Sequence, residues 1–276
     1  MNNSKKRGML FHVVVRTDEW LDQHFNEPEH LCDRLLKSFS ETDSRKLYQY
    51  LMKHGMYRPN RSSWLTFHDM KEKQYWGIID NLYEKYRKEW EGPDIPIYLF
   101  PIQSKANFIF RGHQNKSGVS FHDKMFLFIT PLEDRKEIEA LFVHEYHHVC
   151  RLNKNKKNLE KYTLLDSIIL EGLAENAVRE HCGKQYCAKW CSYYTSEQLL
   201  NFWKKYFLKN LSISHRDELH EKILYGIRPF PRLVGYGLGY EIVARTYKLH
   251  PFSTKASFIL PSEYFIKRND LFHLKA

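Results

Sequence analysis

The sequence predicts an α+β protein in which a helical N-terminal part precedes a small, mostly antiparallel sheet and a second set of helices. Hydrophobic residues recur at helical spacing up to about residue 92, short apolar runs follow between 95 and 130, and helical spacing then returns. With 276 residues, the chain can bury one large core or two small ones. We expect a mainly helical region over 1–92 and a second region over 93–276, with one continuous domain as the alternative.

The N-terminal region begins with a β-branched run, "GMLFHVVVRT", that predicts a strand over 8–17. Four helical segments follow, and the longest covers 62–90. Its apolar and aromatic side chains lie broadly on one side of a helix: Trp64, Phe67, Trp76, Ile79, Leu82 and Tyr86. Such a stripe is typical of a packed core and does not indicate a cofactor site.

The hydrophobic period then changes. Four apolar runs predict consecutive strands over 95–102, 106–112, 117–122 and 124–130. Two long helices are predicted next, over 133–152 and about 159–181, joined by a loop rich in Asn and Lys. The rest of the chain is predicted to be mostly helical and includes the glycine-rich stretch "LVGYGLGYEIVARTY".

Composition narrows the class of protein. Apolar residues make up 42% and charged residues 28% of the chain, which is typical of a globular protein and not of a disordered one. The net charge of +10 favours acidic partners, so a nucleic acid is an alternative ligand, but the basic residues are spread along the chain. No segment approaches the ~18 apolar residues of a membrane span, so we expect no membrane partner.

The cysteines indicate a reducing compartment. There are five, an odd number, and the N-terminus lacks the features of a secretory signal, so we expect a cytoplasmic protein. Cys182, Cys187 and Cys191 follow His181 closely, but their spacing is not that of a zinc ribbon and no second pair follows. We expect no structural metal there, and the role of these three cysteines stays open.

The stretch "LFVHEYHHVC" carries the strongest functional signal. His144 and His148 are four residues apart, so on a helix both rings can converge on one ion, with Glu145 beside them as a general base. The flanking sequence has helical spacing, which this H-E-x-x-H pattern requires. His144 with His147 is an alternative pair, but it leaves Glu145 without a function. We therefore interpret His147 as a histidine that packs in the core, with support of a metal ligand or contact with the substrate as alternatives.

A catalytic zinc site normally has a third protein ligand, and the next helix offers one. In "LLDSIILEGLAENAV", Glu171 and Glu175 lie one turn apart within an apolar run. Buried carboxylates are costly unless they are paired or bind a cation, although two solvated glutamates on an amphipathic helix are the simpler alternative. The small residue Gly172 would permit the close helix approach that a shared metal needs.

Together these motifs resemble the gluzincin metallopeptidases and, more narrowly, the YjaZ-type predicted zinc-dependent proteases of bacteria. The resemblance covers roughly residues 95–250 and rests on "HEYHH", "ILEGLAE" and "GYGLGYEIV". It implies a gluzincin-like fold whose catalytic region is 93–276, with Glu171 as the third zinc ligand and Glu175 as the acid that orients His144. The cysteine-rich stretch "HCGKQYCAKWC" departs from the expected pattern.

The function expected from this resemblance is hydrolysis of peptide bonds with one Zn²⁺ per chain, held by His144, His148 and Glu171. Glu145 would act as the base. Tyr236, or else Tyr240, would donate a hydrogen bond to the oxyanion, unless both are ordinary core residues. The strand 124–130 would lie at the edge of the cleft and pair with a peptide or protein substrate.

Two other functions remain as alternatives. One is a zinc-containing binding or sensor protein that does not cleave, against which an intact Glu145 argues. The other, less favoured, is a basic nucleic-acid-binding protein in which the histidine cluster is incidental. The sequence leaves open the physiological substrate, the cleavage preference and the oligomeric state.

Overall fold

A computed structural model describes residues 13–103, 115–155 and 157–272 of the chain. Six helices come first: α1 (Thr17–His24), α2 (Pro28–Asp33), α3 (Leu36–Phe39), α4 (Ser44–His54), α5 (Arg61–Glu72) and α6 (Tyr75–Trp90). The predicted helical N-terminal part is confirmed. Of the predicted strand over 8–17, the described residues contribute one parallel bridge, between Val14 and Ile97.

A three-stranded sheet follows, formed by β1 (Ile97–Pro101), β2 (Lys116–Ser120) and β3 (Met125–Ile129). The strand order is β1-β3-β2, with β1 parallel and β2 antiparallel to β3. The α+β class is therefore confirmed, although the sheet is mixed and not mostly antiparallel. The predicted strand over 106–112 lies outside the described residues.

The position of β3 corrects one expectation. The run 124–130 was expected at the edge of the cleft, but β3 is the central strand and β2 occupies the edge. The physical reason is visible in the composition of β3. All five of its residues are apolar and buried, as is typical of a strand with neighbours on both sides and both faces covered.

The second set of helices consists of α7 (Arg135–Lys154), α8 (Leu164–His181), α9 (Ser196–Phe202), α10 (Glu218–Tyr225), α11 (Val234–Leu249), α12 (Thr254–Ser257) and α13 (Ser262–Lys267). α7 begins at Asp134, whose carboxylate accepts a hydrogen bond from the amide of Lys136. A capping box of Thr163 and Asp166 starts α8. Among the described residues, no helix is long and apolar enough to cross a membrane.

Helices α8 and α11 cross in direct backbone contact. A Cβ atom at Gly172 would collide with the carbonyl group of Gly239, and one at Gly239 would collide with the carbonyl oxygen of Ile168. Both glycines are therefore required by space, because a larger residue would separate the helices. Gly172 was expected to admit the helix that carries the two histidines, and this expectation is wrong, because Gly172 lies against Gly239 of α11 and not against α7.

The buried apolar side chains form two clusters. The first joins the N-terminal helices, the sheet and α7, and the second joins most of α8 with α9, α10, α11 and α13. The first cluster contains side chains from both sides of residue 92, for example Tyr83 and Phe142. The domain boundary at 92/93 stays a prediction.

Candidate metal centre

Three side chains from α7 and α8 converge beside the sheet. Nε2 of His148 lies 3.0 Å from Nε2 of His144, and Oε2 of Glu171 lies 3.3 Å from His144 Nε2 and 3.6 Å from His148 Nε2. The exposed fractions of these side chains are 12% for His144, 5% for His148 and 10% for Glu171. The helical spacing of four residues brings the two rings to one face of α7 as predicted.

The three separations fit a single small cation. Two atoms bound to one zinc ion at tetrahedral angles and about 2.0–2.1 Å are about 3.3 Å apart. Oε2 of Glu171 and Nδ1 of His148 are buried and have no hydrogen-bond partner among the described residues. A buried carboxylate oxygen without a hydrogen-bond donor is costly, and a cation bound between it and the imidazoles would satisfy it.

The protonation states of the histidines and glutamates in this group depend strongly on one another. Burial opposes protonation of His144, but the carboxylates of Glu171 and Glu175 outweigh this effect and raise its pKa to about 10. Burial likewise opposes ionisation of Glu171, yet the adjacent His148 and His144 hold its pKa well below the usual range. The ionised carboxylate is the form that binds a metal, while His144 must release a proton to do so.

Glu175 lies behind His144. Its Oε1 is 2.9 Å from Nδ1 of His144, and its Oε2 accepts a hydrogen bond of 2.9 Å from the amide of Ala188. This contact on Nδ1 leaves Nε2 of His144 directed at His148 and Glu171. Glu175 thus occupies the orienting position that the resemblance implied, and it is not part of the converging group of three.

Glu145 points in another direction. Its side chain is 1% exposed and packs against β2, where Gly118 lies directly beside its carboxyl group. Glu145 also lines a cleft of about 440 Å³ together with His144 and Tyr236. The predicted base therefore borders the same space as the predicted metal site without belonging to the converging group.

The structure separates the two candidate tyrosines. Tyr236 is buried, lines the cleft, and contacts the ring of Trp190 edge-on. Tyr240, one turn further along α11, does not line the cleft and lies under the guanidinium group of Arg179. Tyr236, the first choice from the sequence, lines the same cleft as His144 and Glu145, and its role stays a prediction.

His147 is placed in the core. Its Nε2 is 3.1 Å from Oγ of Ser257, and its ring packs against Phe258. Burial, together with the nearby cationic groups, holds its pKa well below the ordinary value. The alternative pair of His144 and His147 does not converge with a third ligand in the described part of the chain.

Two of the three clustered cysteines lie close to Glu175. Cys187 Sγ is 3.8 Å from the backbone oxygen of Glu175, and Cys191 Sγ is 3.7 Å from its Oε2. Cys182 packs in the first apolar cluster. Within the residues that the structure describes, these cysteines and His181 do not form a metal-binding group.

A second group of two histidines and a glutamate lies on the surface, at the junction of α1 and α2. Oε2 of Glu27 is 3.3 Å from Nδ1 of His24 and 3.4 Å from Nδ1 of His30. The side chains of Glu27 and His30 are 59% and 57% exposed. This group was not predicted from the sequence, although its spacing of three residues on either side of Glu27 could have indicated it.

Comparison with known proteins agrees with this geometry. The family described as "Predicted Zn-dependent protease (DUF2268)" matches residues 75–267, a range that includes every residue of the candidate centre. The chain belongs to this family. It is also 33% identical over 255 residues to "Uncharacterized protein YjaZ" of Bacillus subtilis (strain 168), which covers 92% of this chain and 98% of that relative. No solved structure matches the chain.

Membership confirms the resemblance to the YjaZ-type predicted zinc-dependent proteases, and the family description implies dependence on zinc. The gluzincin-like fold stays a prediction. Sequence reasoning missed several residues that complete the centre. The amide of Ala188 supports Glu175, Trp190 packs against Tyr236, and β2 contacts Glu145. Their signal was weak, because a backbone donor and a core tryptophan look the same in a sequence wherever they occur.

Proposed function

We propose that this protein is a zinc-dependent peptidase with one Zn²⁺ per chain. The observation that carries the proposal is the convergence of His144, His148 and Glu171 in a buried site that borders a cleft, with Glu145 lining the same cleft. His144, His148 and Glu171 would hold the ion, which would supply the Lewis acidity that makes water a nucleophile near neutral pH.

The residues of the chain divide the remaining tasks. Glu175 holds His144 through Nδ1, so that Nε2 stays available to the metal. Glu145 accepts the proton of the attacking water and returns it to the leaving amine. Burial of Glu145 limits competition from bulk water for this proton.

Tyr236 is the proposed donor to the oxyanion, because its ring lines the cleft. Its replacement by Phe should keep the zinc and reduce kcat by about 10²-fold, comparable to the loss of one oxyanion donor. Tyr240→Phe is the matched control, since it removes the same hydroxyl one turn away, under Arg179. Equal effects of both changes would remove Tyr236 from the mechanism.

The proposed substrate is a peptide or protein in extended conformation. Lys116, Ser117 and Gly118 of β2 line the cleft together with His144 and Glu145, so an extended chain bound along β2 would pass both side chains. The five free thiols support a reducing compartment, and we place the reaction in the cytoplasm.

The decisive experiment is Glu145→Gln, which keeps the shape of the side chain and removes its basicity. The variant should retain zinc at the parental stoichiometry and lose nearly all cleavage of an unfolded protein substrate. Glu139→Gln is the matched control, because Glu139 is a largely buried carboxylate on the same helix, away from the centre. A Glu145→Gln variant that still cuts would overturn the mechanism. A wild-type protein that binds zinc and never cuts would favour a binding or sensor protein.

A further inference from the structure

Ser120, the last residue of β2, contacts the proposed base directly. Its Oγ lies 2.6 Å from Oε2 of Glu145 and 3.0 Å from the backbone oxygen of the same residue. A serine hydroxyl has one proton to donate. The shorter distance and the negative charge favour the carboxylate as the acceptor, and charge-assisted hydrogen bonds of this kind are the stronger ones.

Gly118 leaves room for the side chain of Glu145 because it has no Cβ atom. A Cβ atom on Gly118 would lie 2.5 Å from Cγ and Cδ of Glu145 and 2.7 Å from its Oε1. These distances are shorter than any real Cβ contact, so an alanine here would displace the carboxyl group. Gly118 and Ser120 are two residues apart on a strand, and so both face Glu145 from the same side of the sheet.

We propose that Gly118 and Ser120 form a carboxylate seat that positions Glu145 for proton transfer. This inference rests on the proposed function of Glu145. Glu145 has three rotatable side-chain bonds, and a displacement of about 1 Å in a reacting group can cost about 10²-fold in rate. The seat restricts the side chain in two ways. Gly118 leaves space for the side chain of Glu145, and the hydroxyl group of Ser120 donates a hydrogen bond to one of its carboxylate oxygens.

The seat belongs to β2, the strand whose residues line the cleft that is proposed to bind the substrate. Substrate and base would thus be positioned by one element of five residues, Lys116–Ser120. If the contact only fastened α7 to the sheet, its loss would lower stability and would not selectively lower kcat. A loss of kcat with an unchanged KM therefore indicates that the contact positions Glu145.

The first experiment compares Ser120→Ala with Ser120→Thr in the zinc-loaded protein. Ser120→Ala should lower kcat about 10-fold, leave KM within about twofold and retain the zinc, while Ser120→Thr, which keeps a hydroxyl group, should recover most of the rate. Ser262→Ala is the matched control, because Ser262 donates a hydrogen bond of 2.8 Å to the buried carboxylate of Asp166 in the second cluster. Its kcat should stay at the parental value.

Several results would overturn the proposal. One is a Ser120→Ala variant with parental kcat, and another is a Ser120→Thr variant as slow as Ser120→Ala. A loss of activity that appears only in KM, or equally in Ser262→Ala, would assign the contact to structure alone.

A second experiment does not depend on activity. Gly118→Ala should lower the melting temperature because the new methyl group collides with Glu145, and adding Glu145→Ala should recover part of that loss by removing the colliding atoms. Additive effects of the two changes would show that the seat does not exist. If the wild-type protein proves inactive, the proposed function fails, and this thermal comparison still decides whether the seat holds Glu145.

Discussion

The buried group of His144, His148 and Glu171 and the surface group of His24, Glu27 and His30 have the same composition and similar distances from glutamate to histidine. In each, one glutamate oxygen lies near two imidazole nitrogens, at 3.3 and 3.6 Å in the first and at 3.3 and 3.4 Å in the second. These glutamate–histidine distances therefore do not distinguish the two groups. Their environments do.

The polar atoms of the surface group do not need a metal ion as a partner. Glu27 and its histidines face water, which solvates each of them, and an exposed ion pair of this kind contributes little to stability. The buried group has a carboxylate oxygen without a hydrogen-bond donor and a histidine held from behind by Glu175. Burial and outer support, more than composition, indicate which group binds a metal tightly.

The largest expected difference concerns zinc affinity. His148→Ala should weaken zinc binding by more than the ~10–100-fold typical of losing an outer-shell partner, because it removes a ligand. His30→Ala should leave the affinity of the tight site unchanged. Elemental analysis after gel filtration would measure the zinc retained by each variant. About two retained zinc ions per wild-type chain would show that the surface group also binds zinc tightly.

The next difference concerns stability. At a zinc concentration 100-fold above Kd, binding adds about 2.7 kcal/mol, or roughly 5–10 °C in Tm. Chelation or Glu171→Ala should remove this contribution, whereas Glu27→Ala should leave it in place. Thermal unfolding with and without a chelator tests this, and a Glu171→Ala variant with full zinc and full stability would contradict the ligand assignment.

His147→Ala tests whether burial alone is enough. His147 is as buried as the candidate ligands, but its Nε2 faces Ser257. The change should lower stability through a lost hydrogen bond and a small cavity, while zinc stoichiometry stays parental. Loss of zinc in this variant would mean that the wrong pair of histidines had been chosen.

The smallest effect is expected on acid stability. His24 and His30 lower the pKa of Glu27, so this carboxylate stabilises the folded protein above its unfolded pKa and loses that effect as the pH falls through the lower, folded value. Because the Glu27 side chain is 59% exposed and solvent screens its ion pairs, Glu27→Gln should change acid unfolding hardly at all.

Glu139 provides the contrast in the same experiment. Burial opposes its ionisation, yet Lys136, Lys85 and Tyr86 lower its pKa to about 2. Its stabilisation is therefore present above the unfolded pKa of about 4.3 and is lost toward pH 2. Glu139→Gln should visibly reduce stability at pH 5. An equal loss in Glu27→Gln would show that the surface group is more rigid than its exposure indicates.

Much of the centre could be predicted because its signals are local. The spacing of His144 and His148 follows from the helical repeat, and an acidic pair in an apolar helix is rare enough to indicate its function. The sequence did not show which of Tyr236 and Tyr240 lines the cleft, because this depends on how α11 is rotated against α8. That rotation depends on the contact between Gly172 and Gly239, two residues that are far apart in the sequence.

The order of the strands in the sheet could not be predicted from the sequence for a related reason. Pairing of β1 with β3 skips the strand between them in the chain, and consecutive apolar runs give no direct sign of such a crossover. The unbroken apolar composition of β3 was the available clue to its central position. The seat residues Gly118 and Ser120 depend on this order, so their contact with Glu145 could not be foreseen.

The candidate centre lies where the two apolar clusters meet. His144 and His148 belong to α7, whose apolar side chains are in the first cluster, while the neighbours of Glu171 on α8, from Leu164 to Leu173, are in the second. A cation bound by all three residues would add a further link between the two cores, which α8 already connects because its Ala177 and Val178 lie in the first cluster. Unfolding should then be a single cooperative transition with zinc, and removal of zinc should let the second core open at a lower denaturant concentration than the first.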